Sequence, residues 1–331
     1  MKEAGLLCYD FKFKSATNVG DYIQSLAAKK FLPNNVELRL INREELKTSG
    51  DNEVFLIMNG WFSHKTSCWP PSDKINPLFI SFHLNSSVRD FFKNNKDILS
   101  YLKKHEPIGC RDTSTRDFLI SNGINAYFSS CLTTTLNRED WTNKNDRHGV
   151  LFIDVLQGKG SFKHLNMRND INGLGKILRC PKTLKNKINS INANTVEKKI
   201  LRLIDNKNIK HMTTQFSTKL SESKRFELAE SFLNEYANAE LVITSRIHVA
   251  LPCLAFGTPV LFINPGMDTS RFPGLDSLFN IMTADEVMNV EEEKLRNIIL
   301  NLKNKTDFIE YRDKLKSLCN EKVFDYFDYF D

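Results

Sequence analysis

Short apolar runs alternate with amphipathic stretches along the chain, and the pattern repeats on both sides of a polar segment. The runs predicted as strands are 4–10, 36–41, 53–59, 77–84, 107–112 and 124–129 before that segment, and 149–156, 208–213, 239–245 and 258–264 after it. Strands that alternate with helices favour parallel sheets with helices on both faces. The polar segment 137–149 has no apolar period and is predicted to be a linker. We therefore predict an α/β protein with two Rossmann-like domains, 1–140 and 141–331, that face a cleft.

Helical periodicity marks most segments between these strands. In one of them Ile23, Leu26, Ala27 and Phe31 recur at helical spacing. The predicted helices are 18–33, 86–105, 113–123, 183–205, 221–239, 245–257 and 291–318. Residues 158–180 are predicted to form a loop, and the acidic, aromatic tail from residue 320 is predicted to pack as an amphipathic cap.

Composition excludes several classes of protein. The 46 Lys and Arg against 40 Asp and Glu give a net charge of +6, without a basic run typical of nucleic-acid binding. No apolar stretch reaches the roughly 18 residues of a spanning helix, and the first residues are typical of a strand, not of a signal peptide. Seven scattered cysteines without a C-x-x-C pair favour a reduced protein and exclude a cysteine zinc site. We expect a cytoplasmic protein, with no metal, no nucleic-acid partner and at most peripheral contact with the inner face of a membrane.

Residues that follow the strands are the functional candidates, because ligands of such sheets lie outside the carboxyl ends of the strands. Arg246 and His248 follow the strand 239–245. Thr244 or Ser245 is predicted to cap the next helix, whose first N–H groups would then bind an anion. Arg246 adds a cation suited to carboxylate or phosphate, and His248 adds a proton-transfer group. A capped core helix with Arg246 in a surface ion pair is the structural alternative.

A second polar group follows the first strand, where Asn18, Gly20 and Asp21 open a predicted helix. Gly20 permits a tight turn or the close approach of a ligand. Asn18 can bind hydroxyls, and Asp21 suits a sugar diol or the removal of a hydroxyl proton. A capping asparagine with a turn glycine is the structural alternative.

Three more strands of the first half end in candidate residues. Arg111 could reach an anion in the cleft, while Asp112 caps the next helix or pairs with Arg111. Trp61 lies in a loop whose aromatic rings could stack on a sugar or fold onto their own core. His83 ends another strand, although a single histidine is more often structural than catalytic.

Several common motifs are missing. The glycine-rich segment 158–161 lacks P-loop spacing, and no G-x-G-x-x-G opens a helix after a strand. H-E-x-x-H and G-x-S-x-G do not occur. Binding of NAD, ATP hydrolysis, zinc proteolysis and serine hydrolysis are therefore not expected.

These residues together resemble the polysaccharide pyruvyl transferase family. The matching pieces are NVGDYIQSLAAKKFLP at 18–33, NGWF at 59–62, PLFISFH at 77–83, GCRDTSTRDFLISNGINAYFSSCLTTTL at 109–136 and TSRIHVALPCLAFGTPVLFI at 244–263. No single piece is specific, but five in the right order are. The family's Arg-Leu-His run stands here as Arg246-Ile247-His248, in which Ile for Leu leaves the polar pair intact.

The resemblance implies a glycosyltransferase-B-like fold whose last helix crosses back onto the first domain. It implies transfer of a pyruvyl group from phosphoenolpyruvate to two hydroxyls of a sugar, in a bacterial surface polysaccharide or its lipid-linked precursor, without a cofactor. The expected donor-side residues are Arg246, Ile247, Ser245 and Arg111, and the expected acceptor-side residues are Asn18, Gly20, Trp61 and His83. His248 is the expected acid, and Asp21 or a nearby group is the expected base.

Two other functions fit the same sequence. A nucleotide-sugar-dependent glycosyltransferase of this fold is one, because a fold does not determine the function. A non-catalytic glycan-binding relative that keeps the cleft is the other. Turnover of a nucleotide-sugar donor would identify the first, and glycan binding without consumption of phosphoenolpyruvate the second.

Overall fold

The structure is a computed structural model that describes residues 3–9, 16–48, 50–156, 195–204, 208–264 and 272–328. The predicted loop at 158–180, and residues 183–194 of one predicted helix, lie outside these ranges. In the described segments no helix is long and apolar enough to cross a membrane.

The first half of the chain forms a six-stranded parallel sheet in the order β3-β1-β4-β5-β6-β7. Its strands are β1 (Glu3–Cys8), β3 (Glu37–Asn42), β4 (Val54–Trp61), β5 (Ile75–His83), β6 (Ile108–Cys110) and β7 (Ala126–Phe128). A further short strand, β2 (Ala16–Asn18), lies outside this sheet. The helices are α1 (Val19–Lys29), α2 (Ser86–Lys93), α3 (Lys96–Lys104) and α4 (Thr113–Ser121).

The second half forms a five-stranded parallel sheet in the order β13-β12-β11-β8-β9. Its strands are β8 (Val150–Ile153), β9 (Ile209–Met212), β11 (Leu241–Thr244), β12 (Val260–Asn264) and β13 (Asn280–Thr283), and β10 (Gln215–Ser217) lies apart. The helices are α5 (195–203), α6 (Glu222–Asn238), α7 (Ile247–Ala255), α8 (Ala284–Asn289), α9 (Glu292–Leu300) and α10 (Phe308–Asp328). The prediction of an α/β fold with parallel sheets in both halves is confirmed, while the domain division at residue 140 stays a prediction.

Two predicted helices are each divided in the structure. The segment 86–105 forms α2 and α3, because the side chain of Asn95 caps α3 by accepting from the N–H groups of Asp97 and Ile98. The segment predicted as one helix from residue 291 forms α9 and α10. The second of these continues through most of the tail, where Val323 and Phe327 are buried and Phe324 is exposed.

The last helix, α10, packs against the first half of the chain. The rings of Tyr326 and Phe327 lie 5.0 and 5.8 Å from the ring of Phe55 in β4. The Lys316 ammonium donates to Oδ1 of Asn137 at 3.1 Å. The larger buried apolar cluster accordingly contains residues of both sheets and of α10.

Both sheets are doubly wound, and each has one point at which the strand order reverses. In the first sheet the reversal is at β1, which lies between β3 and β4. In the second sheet it is at β8, which lies between β9 and β11. In doubly wound sheets, ligands bind outside the carboxyl ends of the strands at such a point. The helix α7 of the second half packs against α1 and residues 132–135 of the first half.

Candidate active site

The two halves are joined directly at the cleft by an antiparallel ladder between β2 and β10, in which Asn18 pairs with Gln215. At the end of this ladder the Val19 N–H donates to the Thr214 carbonyl at 2.8 Å, and Asn18 Nδ2 donates to the Thr214 hydroxyl at 3.2 Å. The start of α1 is therefore tied to the second half. The sequence did not reveal this ladder, because three-residue strands carry no apolar period.

Gly20 and His248 meet where α1 faces α7. Asn18 caps α1 by accepting from the Gly20 N–H at 2.7 Å. A Cβ on Gly20 would lie 2.8 Å from Cβ of His248 and 3.1 Å from its Nδ1. The glycine is needed for this close approach of a side chain from the other half.

Arg246 itself is the N-cap residue of α7, so the prediction that Thr244 or Ser245 caps this helix is wrong. The Thr244 hydroxyl accepts from the Arg246 N–H at 3.0 Å. The buried Ser245 hydroxyl donates to the Ile263 carbonyl at 2.5 Å and accepts from the Leu156 N–H at 2.8 Å. Ser245 therefore joins the ends of neighbouring strands instead of presenting its hydroxyl to a donor.

Asp154 holds the Arg246 side chain and was not recognised in the sequence. It follows β8 with a positive φ of 48° and is buried. Its Oδ2 accepts from Nε of Arg246 at 3.1 Å, from the Thr214 N–H at 2.9 Å and from the Thr214 hydroxyl at 2.6 Å. In the described ranges nothing bonds the two Nη nitrogens of Arg246. A carboxylate inside the apolar run 149–156 was the signal that could have found Asp154.

Arg111 is a buried cation, 4% exposed, at the end of β6. Its Nη1 lies 3.4 Å from Nε2 of His248, and its Nε has no hydrogen-bond partner among the described residues. Among the described residues no hydrogen bond or ion pair joins Arg111 to Asp112, whose carboxylate bonds His83 and caps α4. Burying a cation without a carboxylate partner is costly, so this position suits an anionic ligand.

His83 and Asp112 form a tight pair at the ends of β5 and β6. Nδ1 of His83 lies 2.5 Å from Oδ2 of Asp112. Asp112 also caps α4, where it accepts from the Thr115 N–H at 2.8 Å and from the Thr115 hydroxyl at 3.0 Å. Trp61 is half-buried with its ring edge-on to His83 at 5.5 Å, and on its other side it stacks on His64.

The imidazoles of His83 and His248 are both neutral at neutral pH. Burial lowers the pKa of His248 well below its usual value, and the neighbouring Arg111 and His83 lower it further. Burial and Arg111 lower the pKa of His83 to about 4, against the opposing effect of Asp112. Burial alone would raise the pKa of Asp112, but the hydrogen bond from His83 brings it below its usual value. An ionised Asp112 beside a neutral His83 is the resulting state.

Two other predicted site residues have structural partners. Asp21 lies 3.4 Å from Nη1 of Arg43, whose buried guanidinium also bonds Glu44 and covers the Tyr9 ring. Among the described residues no hydrogen bond or ion pair joins Asp21 to His83, His248, Arg111 or Arg246. Ile247 packs on the apolar core. Among the described residues no group of His, Cys, Asp or Glu side chains is placed to hold a metal ion.

A family model for polysaccharide pyruvyl transferases matches residues 18–266, which is more than half of the chain. The chain belongs to the polysaccharide pyruvyl transferase family. The matched range begins at Asn18 and includes every residue of the candidate site. Family membership gives pyruvyl transfer to a polysaccharide as the class of activity. No curated protein matches the chain.

Among solved structures, this chain is weakly similar to a functionally uncharacterised protein from Klebsiella pneumoniae. The identity is 14%, the TM-score 0.44, and the match covers 84% of this chain and 92% of the other. It is also similar to UDP-GlcNAc 2-epimerase from Methanocaldococcus jannaschii, at 13% identity and a TM-score of 0.38, covering 96% and 99%. The heptosyltransferase WaaC of E. coli matches at 10% identity and a TM-score of 0.30, covering 94% and 99%.

Proposed function

We propose that this protein transfers the pyruvyl group of phosphoenolpyruvate to two hydroxyls of one sugar and forms a cyclic ketal. The acceptor is a surface polysaccharide or its lipid-linked precursor, and a lipid-linked acceptor would bring the enzyme to the inner face of the membrane. The observation that carries the proposal is a pair of arginines at His248: Arg246 stands two residues before it in the chain, and Nη1 of Arg111 lies 3.4 Å from Nε2 of its ring. Nε of Arg111 and the Nη nitrogens of Arg246 bond no described residue, and they offer cationic sites for a ligand with both a carboxylate and a phosphate.

The reaction balances without a cofactor. The methylene carbon of phosphoenolpyruvate gains one proton, and the two sugar hydroxyls lose one each as their oxygens bond to the central carbon. The bond from that carbon to the phosphate oxygen breaks, and phosphate leaves with the remaining proton. The site must therefore supply an acid, a base and a cationic site for the leaving phosphate.

His248 is the proposed acid. It stands beside Arg111, so a donor held by this arginine would lie next to the imidazole. The two negative groups of the donor would offset the charge of Arg111 and favour the protonated ring. Arg246, held at Nε by Asp154, would bind the donor through its Nη nitrogens.

Calorimetric titration with phosphoenolpyruvate tests donor binding. We expect Arg246→Ala to weaken binding by about one to two decades, because a charge-assisted hydrogen bond contributes ~1.5–3 kcal/mol. Arg312→Ala is the matched control, because Arg312 pairs with Asp313 on α10. Equal affinity in wild type and Arg246→Ala would contradict this donor site.

Incubation with phosphoenolpyruvate and a panel of lipid-linked sugars tests the reaction. We expect release of phosphate together with a product that has gained the mass of one pyruvyl ketal. Turnover of a nucleotide sugar in place of phosphoenolpyruvate would overturn the proposal. So would glycan binding without consumption of phosphoenolpyruvate.

A further inference from the structure

The His83–Asp112 pair has the geometry of a positioned proton-transfer group. Asp112 is fully buried, and three donors fix its carboxylate: the His83 ring, the Thr115 N–H and the Thr115 hydroxyl. It also caps α4, so its position is set by the start of a helix. A carboxylate held in this way fixes the orientation of the imidazole that it bonds.

The hydrogen bond also determines the tautomer of His83. An ionised carboxylate only accepts, so the neutral ring carries its proton on Nδ1 and keeps a lone pair on Nε2. The hydrogen bonds of the His83 side chain to described residues are all at Nδ1, with Asp112 and Thr115, and none is at Nε2. Nε2 is therefore the nitrogen that can take a proton from a ligand.

His83 and His248 come from opposite halves of the molecule, and both lie beside Arg111. The Arg111 N–H donates to the carbonyl of Phe82, the neighbour of His83, at 2.9 Å, and Nη1 of Arg111 lies 3.4 Å from Nε2 of His248. Arg111 lowers the pKa of both rings, and His83 itself acts on His248. A donor bound at Arg111 would thus have one imidazole from each half beside it. One of them can supply the proton for the methylene carbon, which leaves the other for the sugar hydroxyl.

We infer that His83 is the base that deprotonates the acceptor hydroxyl and that Asp112 is its positioning residue. The inference rests on the proposed pyruvyl transfer. The O–H bond of the hydroxyl breaks as its oxygen bonds to the central carbon of the donor, and the proton moves to Nε2. Asp112 stabilises the imidazolium, which returns the proton to the departing phosphate.

The structure favours His83 over Asp21 for this role. Asp21 is paired with the buried Arg43, whereas His83 has an unbonded nitrogen and a carboxylate behind it. The charged or titratable groups around His83 are Asp112, Arg111, Arg89 and His248. Burial, Arg111 and Arg89 disfavour its protonated form in the free enzyme, so the ring is neutral before the acceptor arrives.

Turnover as a function of pH, at saturating phosphoenolpyruvate, tests the base. In the wild type kcat should fall on the acid side, where His83 becomes protonated. His83→Asn keeps a donor for Asp112 but has no base, so we expect a loss of ~10²–10⁴ in kcat and no such acid limb. The affinity for phosphoenolpyruvate should stay within a few-fold. His148→Asn, at an exposed histidine of the polar segment 137–149, is the matched control.

Asp112→Asn tests the positioning role. The carboxamide can donate to Nδ1, which would move the ring proton to Nε2 and remove the lone pair. We expect a fall in kcat comparable to that of His83→Asn, again with little change in donor affinity. If either variant loses donor affinity together with kcat, the pair is structural and the inference is wrong.

The wild type supplies an independent measurement if these variants do not fold. Nitrogen-15 NMR of the imidazoles reports which ring nitrogen carries the proton, and we expect Nδ1–H for His83. An Nε2–H tautomer would overturn the inference, as would a His83→Asn enzyme within ten-fold of the wild type that keeps the acid limb. If the wild type itself makes no ketal from phosphoenolpyruvate, it is the proposed function that fails.

Discussion

A Cβ added to Gly20 would lie 2.8 Å from the Cβ of His248. The first half of the molecule thus leaves space for a side chain of the second half. Asn18 fixes Gly20 at the start of α1, and the β2–β10 ladder fixes Asn18. The position of His248 therefore depends on a glycine that belongs to the opposite sheet. This relation accounts for a glycine in the first turn of a helix, where it costs conformational entropy.

Replacing this glycine should displace the histidine. In Gly20→Ala the new methyl group must push His248 or α1 away, and a displacement of about 1 Å in a catalytic group lowers the rate by ~10²-fold. Overpacking should also lower the free energy of unfolding by ~1–3 kcal/mol. Steady-state kinetics and thermal unfolding measure the two effects. A variant with wild-type kcat would show that His248 tolerates the shift and is not a proton-transfer group.

Part of this site could be located from the sequence by the rule that ligands lie outside the carboxyl ends of parallel strands. Gly20 and Arg111, each predicted after a strand of the first half, both lie against His248 of the second half. The rule works because parallel strands direct their carboxyl ends to one edge of the sheet. It gives position along the sheet but not the partner of each side chain.

The remaining contacts depend on register and on long-range pairing. The sequence predicts His83 as an isolated histidine. It does not indicate that Asp112, after the adjacent strand, lies within hydrogen-bond distance of the His83 ring. Asp154 was placed inside a predicted strand, because apolar residues continue beyond it, although the strand ends at Ile153. The sequence predicts Asp21 or a nearby group as the base, because nothing local indicates that the buried Arg43 pairs with Asp21.

Arg111 should affect stability and donor binding in opposite directions. In the free protein its buried guanidinium has no carboxylate partner among the described residues, so Arg111→Met removes a desolvated charge and keeps most of the apolar stem. We expect a thermal midpoint equal to or above that of the wild type, and binding of phosphoenolpyruvate weakened by at least ten-fold. Thermal unfolding and calorimetric titration measure these quantities. A large loss of stability with unchanged donor affinity would assign Arg111 to the fold instead.

Asp154 should affect donor binding through Arg246. Asparagine tolerates the positive φ of this position, so Asp154→Asn removes the charge without adding backbone strain. The hydrogen bonds from Arg246 and Thr214 weaken, and we expect a loss of ~1–3 kcal/mol in the free energy of unfolding. We also expect about ten-fold weaker binding of phosphoenolpyruvate, since Arg246 loses the group that orients it. Asp313→Asn, in an exposed pair with Arg312, is the control and should change neither quantity.

His248 should take up a proton when the donor binds. In the free enzyme burial and Arg111 hold its pKa well below the usual value, so the ring is neutral at neutral pH. The negative charges of phosphoenolpyruvate raise that pKa, which makes binding consume protons. Calorimetry in buffers of different ionisation enthalpy measures this uptake, and His248→Gln should reduce it. If the wild type and His248→Gln take up the same number of protons on binding phosphoenolpyruvate, the proton goes to another group.

His248 should also determine how kcat falls at alkaline pH. As the acid, His248 must be protonated in the donor complex, so kcat of the wild type falls as pH rises through its pKa in that complex. His248→Gln keeps a polar side chain of similar reach but cannot transfer the proton, and we expect kcat to drop by ~10²–10⁴ without that alkaline limb. Donor affinity should fall much less, because Arg246 and Arg111 are intact. A variant within a few-fold of the wild type at every pH would mean that His248 only positions the donor, and that the proton for the methylene carbon comes from another group in the cleft.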